Sequence, residues 1–139
     1  ILSHAKDLPI PSYQTEGAAG LDLFAALTKP VKMCPLERVL IPTGLKIDLP
    51  PSMEAQIRPR SGIAYNYGVT VLNSPGTIDS DYRGEIKIIL INLSQDNFII
   101  ERGSRIAQMI FSPITKAKLS VVSTLNKTRR GSKGFGSTG

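Results

Sequence analysis

The segment Gly76-Thr77-Ile78-Asp79-Ser80-Asp81-Tyr82-Arg83-Gly84 decides how the rest of the chain is arranged. Strand-like runs flank it, at residues 68–73 and 85–91, and glycine at each end tolerates the backbone conformations of a sharp turn. The pattern predicts a β-hairpin whose tip presents two carboxylates, an aromatic ring and a guanidinium. Such a tip has the parts of a small-molecule site, and a polar surface turn would have the same composition.

Short strand-like runs separated by proline and glycine continue along the chain. They cover residues 21–25, 31–33, 38–41, 45–49, 53–58, 98–100, 105–111 and 118–122. Many short strands with this spacing are typical of a sandwich, jelly roll or barrel. A short helix is expected after Pro59, ending at Gly68. The sequence therefore predicts an all-β fold with one short helix.

Length and composition limit the organisation of the chain. It has 139 residues, of which 41% are hydrophobic, enough for one domain with one core. We expect a single β domain over residues 1–122 and a mobile arm over 123–139, where the composition becomes polar and basic. The single cysteine, Cys34, excludes an intramolecular disulfide.

Targeting features and charge indicate location and partners. Apolar runs long enough to span a membrane and a signal-peptide pattern are both absent, so we expect a cytoplasmic protein, with a nucleus or organelle left open. The net charge of +6 favours anionic partners such as nucleic acid, a membrane surface or a phosphorylated small molecule. Aromatic residues do not alternate with the basic ones near the end, which argues against single-stranded nucleic acid.

Three polar groups occupy unusual positions. Asp22 lies between two leucines, where a charge needs a partner. Gln108, by period two, shares a face with Ile106 and Ile110, and either is a satisfied core amide or points into a pocket. The run 60–62, Arg-Ser-Gly, combines a cation, a hydroxyl and free amides at a helix start, which makes either an anion site or an ordinary cap.

The run 88–91 is apolar on both faces of its strand. A strand of this kind must be covered on both sides. In a small all-β chain the second cover is expected to be another copy of the chain, which predicts an oligomer with this strand near the contact.

The end of the chain, 131–138, nearly fits the phosphate-loop pattern, but a serine replaces its lysine and the strand and helix that should flank it are missing. This context excludes a P-loop nucleotide hydrolase. Glycines, hydroxyls and Arg130 can still wrap phosphates, and Phe135 can fold over a flat partner; simple disorder of a terminal tail is the alternative.

Taken together, five motifs resemble those of the trimeric deoxyuridine triphosphatase (dUTPase) family. They are Ala19-Gly20-Leu21-Asp22-Leu23, Pro59-Arg60-Ser61-Gly62, residues 73–84, Arg105-Ile106-Ala107-Gln108-Met109 and residues 130–139. Each motif is weak alone, but five in register over nearly the whole chain are highly specific. Lys133 departs from the family's usual glycine, which bears on the mobility of the arm more than on the existence of the site.

The resemblance implies a distorted jelly roll of the β-clip type that assembles as a homotrimer with sites between subunits. One subunit would give motifs one, two and four, a second the hairpin, and a third its arm. The implied reaction is hydrolysis of dUTP to dUMP and pyrophosphate, with Mg²⁺ held by the triphosphate. Stable binding to nucleic acid or a membrane is not expected.

The resemblance also assigns roles to residues. Asp79 is implied to activate the attacking water and Tyr82 to pack on the deoxyribose. Asn73 and the backbone of Thr77, Ile78 and Asp79 would recognise uracil, with Lys87 lining the same pocket. Arg60, Ser61, Gly62 and Gln108 would contact the substrate on its phosphate side, while Asp22 and Gln108 hold Mg²⁺ through its waters. From the arm, Phe135 would stack on uracil, with Arg130, Gly136, Ser137 and Thr138 closing on the phosphates.

Two other functions fit parts of the sequence. Deoxycytidine triphosphate deaminases share the fold, but the family resemblance of Tyr82 and the complete arm favours hydrolysis. A nucleic-acid or protein-binding module that uses the basic arm is a further, non-enzymatic alternative, for which salt-dependent binding without nucleotide turnover would be the sign.

Overall fold

The computed structural model of the chain describes residues 1–134 and 136. Its elements, in order, are a 3₁₀ turn at Ser3–Ala5, β1 (Leu21–Phe24), β2 (Val31–Met33), β3 (Arg38–Pro42), β4 (Met53–Arg58), α1 (Ser61–Tyr67), β5 (Val69–Val71), β6 (Gly76–Ile78), β7 (Lys87–Asn92), β8 (Phe98–Ile100) and β9 (Arg105–Pro113). Helix α1 ends at Gly68, which adopts a left-handed conformation (φ 63°) and donates its N–H to the Ala64 carbonyl at 3.1 Å. The all-β prediction and the short helix are confirmed.

Within the described residues the strands form three antiparallel sheets. Their orders are β1-β9-β4-β6, β3-β7-β5 and β2-β8. One apolar cluster joins buried side chains from all three sheets. It includes Leu23, Met33, Ile41, Ala55, Ile57, Val71, Ile88, Leu90, Ile100, Ala107 and Met109. The three sheets of the described residues therefore share one apolar core.

The central hairpin is confirmed in outline but differs in detail. Strands β5 and β7 pair antiparallel, with Val71 opposite Leu90, so the flanking runs are neighbours as predicted. Between them, however, the chain leaves this sheet and Gly76–Ile78 pairs with β4. The prediction of a hairpin with its ends at Gly76 and Gly84 was therefore wrong, because this segment links two sheets. A turn does form within it, where the Tyr82 N–H donates to the Asp79 carbonyl at 3.1 Å.

Two predicted strands are not formed. Over residues 45–49 the burial alternates as expected, but the segment makes no ladder, although the Leu45 carbonyl accepts the N–H of Ile86 at 2.9 Å. Residues 118–122 are exposed and form no strand, and Leu119 and Val121 lie almost wholly in solvent. A strand forms only where another strand can pair with its backbone, and residues 118–122 have no such partner within the described part of one chain.

A β-bulge in the four-stranded sheet removes Ile106 from the face predicted for Gln108, whereas Ile110 shares that face as expected. Leu23 pairs with Ala107, whereas the next residue, Phe24, pairs with Arg105, so Ile106 is the extra residue. The alternation therefore shifts at Ile106, which is buried, and Gln108 lies on the opposite face from Ala107 and Met109.

In residues 1–134 and 136, no helix has the length and apolar character needed to cross a membrane.

Candidate functional site

Motifs one, two and four converge at the start of α1. Asp22 on β1 lies directly opposite Gln108 on β9, and Arg60, Ser61 and Gly62 follow the end of β4. These five residues line a pocket of about 200 Å³, which we call the anion pocket. Positions 22, 60 and 108 are distant in sequence, so their convergence is a product of the sheet order.

Asp22 has the partners that its position required. Its Oδ1 accepts a hydrogen bond from Nε of Arg60 at 2.7 Å, and its Oδ2 accepts one from Nη1 of Arg105 at 3.3 Å. The Asp22 side chain is 16% exposed, so these contacts are less screened than a surface pair. Two guanidinium groups beside one carboxylate leave an excess of positive charge, which suits a phosphate group.

Gln108 lies in the anion pocket rather than in the core, which resolves the two alternatives for this amide. Its Nε2 donates to the Pro59 carbonyl at 2.9 Å. Its Oε1 lies against Gly20, where an added Cβ would come within 2.5 Å of it. The Pro59 bond therefore fixes the orientation of the amide, and the absence of a side chain at Gly20 leaves room for its oxygen.

The chain between β5 and β7 carries the second group of predicted residues. Asp79 is exposed, and it lines a cleft of about 960 Å³ together with Ser80, Asp81, Arg83, Asp48, Leu49, Pro50, Pro51, Met53, Glu54, Ile114 and Lys116. Arg83 stabilises this segment, since its guanidinium donates to the carbonyl of Ser80 at 2.7 Å and to the carboxylate of Asp48 at 2.7 Å.

Tyr82 is folded back towards the start of β7. Its hydroxyl donates to the Glu85 carbonyl at 3.0 Å, while the ring remains 44% exposed. Asn73 and Thr77 are exposed and Ile78 is half-buried. Thr77 in β6 lies opposite Gln56 in β4. Lys87 is exposed, and its Nζ lies 3.9 Å from a carboxylate oxygen of Glu85.

The chain after β9 is exposed, including the described part of the basic arm. Residues 115–133 are all exposed, and Nε of Arg130 donates to the Lys133 carbonyl at 2.9 Å. Gly136 adopts a left-handed conformation with φ 86°. Phe135, Ser137 and Thr138, which were predicted to contact the substrate, lie outside the described residues.

In the described part of one chain, two pocket linings contain some of the predicted residues, and Asn73, Thr77, Ile78, Tyr82 and Lys87 are in neither of them. The anion pocket holds Asp22, Arg60, Ser61, Gly62 and Gln108, whereas Asp79 lines the larger cleft, and these two linings share no residue. Sequence reasoning gave no role to Arg105, Arg83 and Glu85. Their contacts depend on tertiary structure, although Arg105 and Arg83 fall within two of the quoted motifs.

The oxygen atoms of the anion pocket suit a hydrated cation. Across residues 1–134 and 136, no three His, Cys, Asp or Glu side chains form a metal-binding group. A carboxylate and an amide oxygen are acceptable to Mg²⁺, but two such groups are too few to bind it alone. They fit the lesser task of accepting hydrogen bonds from the water shell of an ion that arrives with a phosphate ligand.

Comparison with known proteins agrees with the motifs. The family model described as dUTPase matches residues 6–139. The chain belongs to the dUTPase family. The chain is 57% identical over 135 residues to a deoxyuridine 5'-triphosphate nucleotidohydrolase of Caldanaerobacter subterraneus subsp. tengcongensis. The match covers 97% of this chain and 91% of the relative.

Other dUTPases support the same assignment. The deoxyuridine 5'-triphosphate nucleotidohydrolase of Mesorhizobium japonicum is 54% identical over 140 residues, covering 99% of this chain and 87% of that protein. The solved structure of the Staphylococcus bacteriophage 80alpha dUTPase with dUPNHPP superposes with a TM-score of 0.87 at 26% identity, over 96% of this chain and 94% of that one. The jelly-roll type of fold expected from the dUTPase motifs is confirmed.

Proposed function

We propose that this dUTPase hydrolyses dUTP to dUMP and pyrophosphate, which keeps uracil out of DNA and supplies dUMP for thymidylate synthesis. Family membership and the names of its relatives support the reaction class. The observation that carries the proposal is the convergence of Asp22, Arg60 and Gln108 in one pocket at the start of α1. That pocket has the charge and the donors required by a nucleotide's phosphates.

Asp79 is the general base in the proposed mechanism. Its exposed carboxylate accepts a proton from a water molecule, and the water oxygen then attacks the α-phosphorus. The bond between the α-phosphorus and the bridging oxygen breaks, and pyrophosphate leaves with the electron pair of that bond. Asp79 also accepts the hydrogen bond of the deoxyribose 3′-hydroxyl.

The segment around Asp79 selects the nucleoside. Asn73 and the backbone of residues 77–79 bind the uracil edge, where the thymine methyl has no room, and Lys87 lines the same place. Tyr82 packs on the deoxyribose, so a 2′-hydroxyl would meet its ring. The open face of the ring, with the hydroxyl end tied to Glu85, supports this role.

Arg60, Ser61 and Gly62 bind the phosphates from the anion pocket, and the arm closes over them. Arg130, Gly136, Ser137 and Thr138 contact the β- and γ-phosphates, and Phe135 stacks on uracil. Asp22 and Gln108 would hold Mg²⁺ by accepting hydrogen bonds from its water molecules. When bound, Mg²⁺ neutralises negative charge on the phosphates.

We further propose that the working unit is a homotrimer with each site shared between subunits. The separation of the anion pocket from the cleft of Asp79 in one chain supports a shared site. The outer face of the β3-β7-β5 sheet also carries an apolar patch, because Ile89 lies between the exposed Leu40 on one side and the exposed Leu72 on the other. Leu119 and Val121, exposed just before the arm, are suited to cover a neighbour.

The test is pyrophosphate release from dUTP, UTP, dTTP and dCTP, each with Mg²⁺ and with a chelator. We expect rapid release from dUTP with Mg²⁺ and little from the other three nucleotides. Ammonia release from dCTP would instead identify a deaminase. Equal release from UTP and dUTP would contradict the role of Tyr82.

A further inference from the structure

Glu85 has no part in the reaction described above, yet its carboxylate is held by three segments of the chain. The side chain is only 14% exposed. Its Oε1 accepts the backbone N–H of Gly44 at 2.8 Å and lies 2.9 Å from Nε2 of His4. Its other oxygen lies 3.9 Å from Nζ of Lys87. A half-buried carboxylate with this many partners is held in a defined position.

The backbone of Glu85 holds Tyr82. The Tyr82 hydroxyl donates to the Glu85 carbonyl at 3.0 Å, which fixes the far end of the ring. The same end of the ring lies on Gly84, where an added Cβ would overlap the hydroxyl and the ring carbon that carries it. The position of the ring therefore depends on where residues 84 and 85 lie.

The same region is joined to the core and to the N-terminal turn. Ile86 is fully buried, its N–H donates to the Leu45 carbonyl at 2.9 Å, and its carbonyl accepts the Thr43 hydroxyl at 2.7 Å. The Leu2 N–H donates to the Gly44 carbonyl at 2.8 Å. The Glu85 carboxylate thus connects the 43–45 segment, the N-terminal turn and the start of β7.

We propose that Glu85 is a positioning residue for sugar selectivity: its carboxylate anchors the backbone that seats the Tyr82 ring. This inference rests on the proposed packing of Tyr82 on deoxyribose. A firmly held ring leaves no room for one additional oxygen on the sugar. If the backbone at residues 84 and 85 is held less firmly, the Tyr82 ring can move aside and admit a ribonucleotide. The preference for dUTP over UTP then declines more than the rate of dUTP hydrolysis.

The experiment measures kcat and KM for dUTP and for UTP in Glu85→Ala, Glu85→Gln, His4→Ala and Tyr82→Ala. We expect the ratio of kcat/KM for dUTP to that for UTP to fall about tenfold in Glu85→Ala. Glu85→Gln should lose less, because an amide oxygen can still accept the Gly44 N–H. His4→Ala removes one contact of the carboxylate and should shift the ratio in the same direction by a smaller factor.

Glu16→Gln is the matched control, since Glu16 is exposed and its carboxylate makes no hydrogen bond or ion pair to any described residue. It should leave the ratio unchanged. If Tyr82→Ala does not alter the ratio, the proposed role of Tyr82 fails. If Tyr82→Ala lowers it while Glu85→Ala and Glu85→Gln do not, the inference about Glu85 is wrong and the proposed function stands. Should Glu85→Ala not fold, Glu85→Gln and His4→Ala decide the question alone.

Discussion

At the scale of single residues, replacing Asp79 separates binding from chemistry. Asparagine keeps the shape and a hydrogen-bond acceptor but cannot take a proton from water. We expect Asp79→Asn to assemble and bind dUTP while kcat falls by at least about 10²-fold, the lower end of what a general base contributes. Pyrophosphate release gives kcat, and calorimetry with dUPNHPP gives binding. Turnover like that of the unmodified protein would contradict the assignment, and Asp96→Asn is the control for loss of one carboxylate.

Gly20 is expected to control the metal dependence of the reaction. The Cβ of Gly20→Ala would lie 2.5 Å from Oε1 of Gln108, so the amide must swing away and its bond to Pro59 is strained or lost. The Mg²⁺ concentration for half-maximal activity should rise about tenfold, the smaller effect typical of groups that orient metal ligands. Binding of dUPNHPP titrated at varied Mg²⁺ should show the same shift.

Gly17→Ala is the control for this change, because a Cβ at Gly17 would meet no atom within 4 Å. Both variants alter one nearby glycine by one methyl group. If both shift the Mg²⁺ dependence equally, or neither does, the orientation of Gln108 is not what Gly20 provides.

The sequence indicated some site residues only because a polar side chain occupies a position where an apolar one is expected. A carboxylate between two leucines and an amide on a strand suggested that Asp22 and Gln108 had partners, and the structure supplies Arg60, Arg105 and Pro59. Gln108 shares a face with Ile110 as predicted but not with Ile106, because a bulge at Ile106 changes the period and period-two reasoning cannot detect one extra residue.

At the scale of elements, local pattern predicted strands well where both partners lie in one chain. The antiparallel pairing of β5 with β7 followed from two apolar runs around a turn. The pattern failed at 76–84, 45–49 and 118–122, because whether a segment joins a ladder depends on which edge is near it. That information is tertiary, and composition does not contain it.

The N-terminal turn is fastened by an ion pair with a predictable response to acid. The Arg102 guanidinium binds both carboxylate oxygens of Asp7 and also donates to the carbonyls of His4 and Leu27, each at 2.8 Å. The hydrogen bonds from Arg102 lower the pKa of Asp7 below its ordinary value. Because the folded-state pKa is depressed, this stabilisation is present at neutral pH and is lost as the pH falls through that pKa.

Thermal unfolding of the unmodified protein and Asp7→Asn, measured from pH 7 to below pH ~4, tests this response. The unmodified protein should have the higher Tm at neutral pH, and the difference should shrink once Asp7 protonates. A difference that is the same at every pH would mean that the charge of Asp7 has no part in it.

At the scale of the whole molecule, a charge placed at Ile89, on the outer face of β7, should disturb the proposed assembly of subunits. Lysine at Ile89, opposite the exposed Leu40, would have to bury its ammonium in a subunit contact. We expect Ile89→Lys to lower the molar mass measured by light scattering and to reduce turnover with it. Ile10→Lys, which places the same charge on an exposed residue outside the three sheets, should remain a trimer. A trimeric Ile89→Lys would show that the contact lies elsewhere.

The arm provides the strictest test of a site shared between chains. Removing the residues after Lys127 deletes Arg130 and the glycine-rich end but leaves every strand and the apolar Leu119 and Val121. The truncated protein should therefore keep the Tm and the molar mass of the unmodified protein while turnover of dUTP becomes very slow. Mixing the truncated protein with the Asp79→Asn variant and allowing subunits to exchange should then restore activity. Rescue requires that an intact arm from one chain serve the Asp79 of another, because neither variant contains both. If exchange is shown by mass but activity does not return, each arm serves the Asp79 of its own chain, and the proposed division of the site among subunits is wrong.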